Sequence, residues 1–259
     1  MRITSGDNPL YRRLRRLADS PRECRAAKRS IAEGIHLVEA ALDAGISVDA
    51  VVLSEVADSV AQTLADRAAA TINARRVVLS RALYESLSPV EHGAGILAEI
   101  AIDTPALPRT QAADAVYLDA VQDPGNAGTL LRTAAAAGVR YVAAAPGTAF
   151  LWAPKVLRAA MGAHFSLAIF EDVAPEALGL AFSGERLAAD ANAQESLYAA
   201  TWGGGPTVWM FGSEGQGLSA GSMAQAQRRL RIPIEARMES LNVAAAAAVC
   251  LFEQRRRRT

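Results

Sequence analysis

The sequence predicts an α/β protein of two domains, each a sheet covered by helices. Three observations lead there. Apolar segments of strand length alternate with longer amphipathic segments along most of the chain, the pattern of strands joined by helical crossovers. The stretch 104–110, Thr-Pro-Ala-Leu-Pro-Arg-Thr, interrupts this alternation with two prolines and no periodicity. The length of 259 residues suits one large or two modest domains and allows a core without disulfides.

In chain order, Asn8-Pro9 followed by Leu10, Leu14 and Leu17 has the start signal and spacing of a short amphipathic helix. The first thirty residues hold nine basic against three acidic side chains, a local net of +6. That excess is either a solvated helix face or a surface that tracks phosphates. A helix is expected over 35–44, ended by Gly45, then a strand over 50–53, a helix over 56–70, a strand over 77–79, a helix over 81–87 and a strand over 96–102. The proline stretch then separates a domain at 1–105 from one at 113–259.

The second domain reads as strand 115–120, helix 127–137, strand 141–145, helix 154–161, strand 167–170, helix 175–182 and strand 186–189. It continues as strand 207–211, helix 220–227, strand 230–234 and helix 241–254. Alternation of this kind implies a parallel sheet with ligands at the carboxyl ends of its strands. The closing run Arg255-Arg256-Arg257-Arg258 reads as a disordered charged end rather than a phosphate contact.

Composition excludes several classes. Formal net charge is zero, so the whole chain does not announce a nucleic-acid binder, although 25 of the 27 cations are arginine. Arginine suits phosphate oxygens, and a GC-rich coding bias accounts for the skew equally well. Cys24 and Cys250 stand far apart with no CxxC, which excludes a disulfide scaffold and a cysteine zinc site. The N-terminus is charged rather than apolar, and the longest apolar run, 243–252, is too short for a bilayer. A cytoplasmic protein is expected.

Neither GxGxxG nor GxxxxGK[ST] occurs at a strand-to-helix turn. Gly217-Leu218-Ser219-Ala220-Gly221 matches a hydrolase elbow, but that triad needs an acid and then a histidine after the serine, and no histidine follows it and no Asp follows Asp190. His36, His92 and His164 lie on separate elements without metal-ligand spacing and read as surface or packing residues. No metal is expected.

What remains is polar residues in three places where an alternating fold should be plain. Asn126 sits at a helix start, where capping would account for it, and Arg132 follows between Leu131 and an alanine run on a helix that reads as buried. The strand 208–211 meets Gly212-Ser213-Glu214-Gly215-Gln216-Gly217-Leu218, glycines bracketing one carboxylate, which permits close backbone approach. Ile232-Pro233 is followed by Ser240-Leu241-Asn242-Val243, in which Asn242 is a poor helix former inside a first turn.

Together, as N-x-G-x-x-x-R, G-S-E-G-x-G-L and I-P with S-L-N-V, these segments resemble the three motifs of the SpoU (TrmH-type) RNA ribose 2′-O-methyltransferases of the SPOUT superfamily. The likeness covers roughly 113–254. More diffusely, Asn8-Pro9, Glu33-Gly34-Ile35 and Gly95-Ile96-Leu97 resemble the ribosomal-protein-like substrate-binding domain of that family. Ala160 stands where relatives usually carry a serine. The resemblance implies a parallel sheet with a trefoil knot, S-adenosylmethionine held by Gly212, Ile232 and Leu241, and a homodimer. It also implies a site of Arg132, Asn126, Glu214, Ser240 and Asn242. A guanidinium is a poor base, so Arg132 is expected to hold phosphate and stabilise the developing alkoxide, with the other four orienting it and the ribose. The basic first domain points to ribosomal RNA, most of all 23S ribosomal RNA. A transfer-RNA ribose methyltransferase and a non-catalytic RNA-binding or assembly factor are the alternatives.

Overall fold

The computed structural model describes residues 1–88, 93–202, 204–235 and 237–259; His92 lies outside them. The chain divides into two units, Met1–Asp103 with Trp152–Phe165, and Thr104–Leu151 with Ser166–Thr259.

In the first unit, β1 (Arg2–Ile3) precedes α1 (Pro9–Asp19), which starts where Asn8 Oδ1 accepts from the Leu10 and Tyr11 amides at 2.9 and 3.3 Å. Tyr11, Leu14 and Leu17 form its buried face. Then come α2 (Pro21–Ala27), β2 (Arg29–Glu33), α3 (Ile35–Asp43), β3 (Val48–Ser54), α4 (Ser59–Ile72), β4 (Arg75–Leu79), α5 (Arg81–Leu87) and β5 (Ile96–Ala101). The sheet order is β1-β4-β3-β5-β2. The sheet is mixed: β5 pairs antiparallel with both β2 and β3, while β3, β4 and β1 run parallel. The N-terminal charge is also less free than its count suggests. Arg12 pairs with Asp7, Arg15 with Asp19 at 2.6 Å, and Arg29 with Asp49 at 2.9 Å. Arg13 reaches both Asp49 and the buried Glu99. Asp49 and Glu99 lie outside the first thirty residues, so a local count cannot register them.

The second unit opens with β6 (Ala115–Asp119), α6 (Pro124–Ala137) and β7 (Tyr141–Ala144). The chain then contributes α7 (Pro154–Ala160) to the first unit. There Ser30 Oγ donates to the Trp152 carbonyl at 2.6 Å and Arg158 meets Glu33 at 3.2 Å. Ala160 is fully buried on this helix. The second unit resumes with β8 (Ala168–Phe170), a 3₁₀ turn, α8 (Leu178–Ala181), β9 (Glu185–Ala189), β10 (Glu195–Ser196), β11 (Thr207–Gly212), α9 (Ala220–Gln225), β12 (Arg228–Arg231) and α10 (Val243–Arg258). Its seven strands run β10-β12-β9-β11-β6-β7-β8, every pair parallel. Because β12 ends at Arg231, Ile232 and Ile234 stand in the following loop rather than in a strand over 230–234.

α10 packs along α6. Its Gln254 Oε1 accepts from Thr207 Oγ1 at 2.5 Å and from Trp209 Nε1 at 2.7 Å, which satisfies an indole N–H at the centre of the sheet. The terminal arginines are not disordered: they form the last turns of α10. Arg257 donates to the Leu197, Tyr198 and Ala200 carbonyls at 2.7–3.0 Å and lies 4.6 Å over the Trp202 ring. Arg256 and Arg257 also hold the Glu253 carboxylate, lowering its pKa to about 2. Carbonyl partners in a neighbouring loop leave no trace in a run of four arginines.

Candidate functional site

Three side chains from three elements meet at the carboxyl end of the second sheet. α6 begins at Pro124, three residues before its expected start, because Asp123 Oδ1 accepts from the Asn126 amide at 2.7 Å and so serves as the cap. Asn126 is thereby relieved of capping. Its Nδ2 donates to Glu214 Oε1, and its Oδ1 accepts from Asn242 Nδ2 at 3.0 Å. Asn242 in turn is the N-cap of α10, its Oδ1 accepting from the Ala244 and Ala245 amides at 2.9 and 3.3 Å. The residue read as a poor helix former inside a first turn is therefore the cap that starts the helix. Each amide has a single compatible orientation, so the chain runs directionally from the α10 amides through Asn242 and Asn126 to the Glu214 carboxylate.

Glu214 occupies a tight turn after β11. Ser213 and Gly217 exchange backbone hydrogen bonds at 3.0 and 2.9 Å, with Gly217 at φ +68°. Gly212 lies against that turn: a Cβ built there would stand 2.0 Å from the Gly217 carbonyl carbon and 2.2 Å from the Leu218 nitrogen. Asp119, buried at the end of β6, accepts from the Ser219 amide at 2.7 Å and anchors the far side of the turn. Sequence reasoning passed over Asp119, although a carboxylate closing an otherwise apolar strand is a signal for such a tie. Ser219, of the apparent hydrolase elbow, is the N-cap of α9.

Beside this turn opens a pocket of about 750 Å³. Gly212, Ile232 and Leu241, the expected cofactor residues, all line it, as do Glu214 and Ser240. Leu218, Ile234 and Val243 add aliphatic surface, while Asp190, Glu214 and Glu239 place carboxylates around it. The one guanidinium in the lining, Arg229, is spent on Asp190 at 2.6 Å. Such a lining offers aliphatic contact to an apolar ring and carboxylates to a cation.

Arg132 stands apart. It is exposed, not buried as expected, and makes no hydrogen bond or ion pair with the described residues. Helical periodicity explains this, since Gly125, Thr129, Arg132 and Ala136 share one exposed stripe of α6. Six residues separate it from Asn126, so its side chain leaves the helix about 120° away. Of the remaining sequence candidates, His36 is exposed and His164 is buried against Trp152, ring centroids 5.0 Å apart. Among the described residues, no group of three or more His, Cys, Asp or Glu could hold a metal ion, and no helix is long and apolar enough to cross a membrane.

Comparison with known proteins adds the following. The SpoU rRNA Methylase family matches residues 114–252, and an MRM3-like substrate binding domain matches residues 8–98. A Synechocystis protein described as an uncharacterized tRNA/rRNA methyltransferase is 33% identical over 258 residues, 98% of this chain and 93% of that one. The 23S rRNA (guanosine(2553)-2′-O)-methyltransferase RlmP of Bacillus subtilis is 36% identical over 146 residues, 54% of this chain and 57% of that protein. The solved structure of an RNA 2′-O ribose methyltransferase superposes with a TM-score of 0.82 at 29% identity, covering 100% of this chain and 99% of that one. An AdoMet-bound rRNA methyltransferase from Sinorhizobium meliloti shares the fold with a TM-score of 0.84 at 24% identity, covering 99% and 98%.

Proposed function

Because this chain belongs to the SpoU rRNA methylase family, we propose that it methylates a ribose 2′-hydroxyl of ribosomal RNA, 23S ribosomal RNA first of all. The observation that carries this reading is the Asn242–Asn126–Glu214 chain standing beside a pocket that Gly212, Ile232 and Leu241 line. S-adenosylmethionine is the cofactor expected of the family, and the pocket fits it: aliphatic walls suit an adenine ring, and the Glu214 and Glu239 carboxylates, neither paired with a cation among the described residues, suit a sulfonium. Gly212, Ile232 and Leu241 would hold it. When bound, it supplies an activated methyl group that needs no metal.

The protein must then place the ribose oxygen in line with that group at about 3–3.5 Å and remove its proton. Glu214, fixed by Asn126, offers an acceptor to a ribose hydroxyl, and Ser240 in the same lining offers a second polar contact. Arg132 leaves α6 in another direction, so we read it as serving the pocket of a second copy in a homodimer. There its guanidinium would clamp the adjacent phosphate and stabilise the alkoxide. The exposed Ala245 and Phe252 of α10 support such a partner surface. The trefoil knot, RNA binding by the first unit and a cytoplasmic location belong to the same proposal.

Incubation with labelled S-adenosylmethionine and separate pools of ribosomal and transfer RNA tests it, followed by alkaline digestion, because a 2′-O-methyl blocks cleavage at its own linkage. Label in an alkali-resistant dinucleotide from ribosomal RNA is the expected result. Label confined to transfer RNA would move the substrate, and label in neither would leave a binding or assembly factor.

A further inference from the structure

Among the described residues, six other than glycine hold a positive φ. Lys28, Asn73 and Met161 are helix C-caps, where the left-handed region is usual. Ala120, at φ +55°, is different. It follows the last residue of β6 and opens the segment that leads to Asn126. In this conformation the Cβ of an L-residue crowds the following carbonyl oxygen, so the angle persists only where neighbouring groups enforce it.

The enforcing group is Thr148. The segment Ala145-Pro146-Gly147-Thr148 carries the Pro–Gly signature of a type II turn, with Gly147 at φ +90° and the Thr148 amide donating to the Ala145 carbonyl at 3.2 Å. That turn sets Thr148 Oγ1 between two backbone groups at the end of β6. The hydroxyl accepts from the Ala120 amide at 3.1 Å and donates to the Leu118 carbonyl at 3.0 Å, and a hydroxyl can do both at once. On either side, the Ala145 amide donates to the Leu118 carbonyl at 2.8 Å and the Ala149 amide to the Val121 carbonyl at 2.9 Å. The chain is thus fixed before and after Ala120. Shortly beyond Val121, Asp123 caps α6, and Asn126 stands in its first turn. The left-handed angle therefore sets the direction in which the chain leaves β6, and with it the place of Asn126, whose partner Asn242 is 3.0 Å away.

We propose that Thr148 is a positioning residue for methyl transfer: its hydroxyl locks Ala120 in the left-handed conformation, and that lock keeps Asn126 in register with Glu214 and Asn242. Thr148 lies outside the pocket lining and acts only through Asn126. This rests on the reading of the Asn242–Asn126–Glu214 chain as the reacting site, and it extends that site to a loop none of the three motifs contains. A displacement of about 1 Å at a positioned group can cost about 10²-fold in rate. Because α6 is also held by packing along α10, the loss expected here is smaller, about 10-fold.

Full-length Thr148→Val and Thr148→Ser are compared with wild type well below their melting temperatures. The measurements are single-turnover transfer to ribosomal RNA at saturating S-adenosylmethionine, cofactor affinity by calorimetry, and the side-chain amide signals of Asn126 in ¹⁵N-labelled protein, assigned by their loss in Asn126→Asp. Thr148→Val keeps the outline of the side chain and loses the hydroxyl. It should transfer methyl about 10-fold more slowly, bind the cofactor within about 2-fold of wild type and show displaced Asn126 signals. Thr148→Ser should restore both the rate and the signals. Adding Ala120→Gly to Thr148→Val should recover at least about 3-fold of the rate, because glycine takes a left-handed angle without strain. A hydroxyl that serves stability alone predicts another pattern. A folded Thr148→Val protein with a lower melting temperature, the wild-type rate and unmoved Asn126 signals would overturn the proposal. If Thr148→Val does not fold, Thr148→Ala takes its place, and failure of both to fold overturns the positioning role. The Asn126 signals also separate the lock from the activity. Displaced signals in Thr148→Val with no transfer by wild type support the lock and remove the activity, whereas transfer by wild type with unmoved signals does the reverse.

Discussion

Replacing Gly212 by alanine tests the architecture of the pocket more severely than any change to a polar group. The added methyl would stand 2.0 Å from the Gly217 carbonyl carbon and 2.2 Å from both the Gly217 oxygen and the Leu218 nitrogen. All three are backbone atoms, so no side-chain rotation relieves the overlap. Reaching a normal separation of about 3.5 Å needs a shift of about 1.5 Å. That displacement pulls apart the paired Ser213–Gly217 hydrogen bonds. Overpacking with two lost hydrogen bonds costs about 2–5 kcal/mol, which lowers Tm by about 5–15 °C. The turn also carries Glu214 and forms part of the pocket wall, so calorimetry should show cofactor affinity falling with stability. Gly215→Ala is the control, because nothing lies within 4 Å of its Cβ position. A Gly212→Ala protein with wild-type Tm and wild-type cofactor affinity would refute the reasoning.

Asn242 has two separable duties. Asn242→Asp should keep the α10 cap and hence Tm, yet replace the donor facing Asn126 with an acceptor and reduce methyl transfer by about 10²-fold. Asn242→Ala should lose transfer and also about 0.5–2 kcal/mol of stability. Arg132→Ala should leave cofactor binding intact and cut transfer by at least about 10²-fold. Arg132→Lys should stay impaired in single-turnover rates from about pH 7 to 9.5 if the fork acts as a clamp, and activity that recovers at high pH would identify a base instead. Glu253 has its folded-state pKa depressed from 4.5 to about 2 by Arg256 and Arg257. Its contribution to stability is therefore present above about pH 4.5 and lost as pH falls through about 2. Thermal melts of Glu253→Gln and wild type should differ at pH 6 and converge toward about pH 2.5.

Much of this was legible in the sequence because the second unit obeys simple periodicity. β6, β7 and β11 are short apolar runs in a buried parallel sheet, and their ends fall within a residue or two of the expected ones. Site residues were legible as polar exceptions to that pattern. Asn126, Glu214 and Asn242 come together as hydrogen-bonded partners, and Gly212, Ile232, Ser240 and Leu241 line one pocket. Arg132 was misplaced because an alanine-rich helix reads as buried on every side, whereas only the Ala127, Leu130, Leu131 and Ala134 face is. At Gly212 the sequence left out one constraint, the following turn, whose backbone leaves no room for a Cβ. The direction of β5 was not legible, because antiparallel pairing leaves no local mark in a strand. The same holds for α7, whose pattern of Val156, Leu157 and Ala160 would serve a helix on either sheet.

That placement of α7 bears on how the protein is synthesised. The first unit takes its last strand from Ile96–Ala101 but its final helix from Pro154–Ala160, with β6, α6 and β7 of the second unit translated between them. A nascent chain that has just released β5 from the ribosome still lacks the segment bearing Trp152, Val156 and Leu157. At about 5–20 residues per second, that segment arrives about 3–11 s later. Until then Ser30, buried in the finished protein, has no Trp152 carbonyl to bond. The first unit, although earlier in the sequence, cannot complete its core on the ribosome before the first of the three motifs, Asn126–Arg132, has been made.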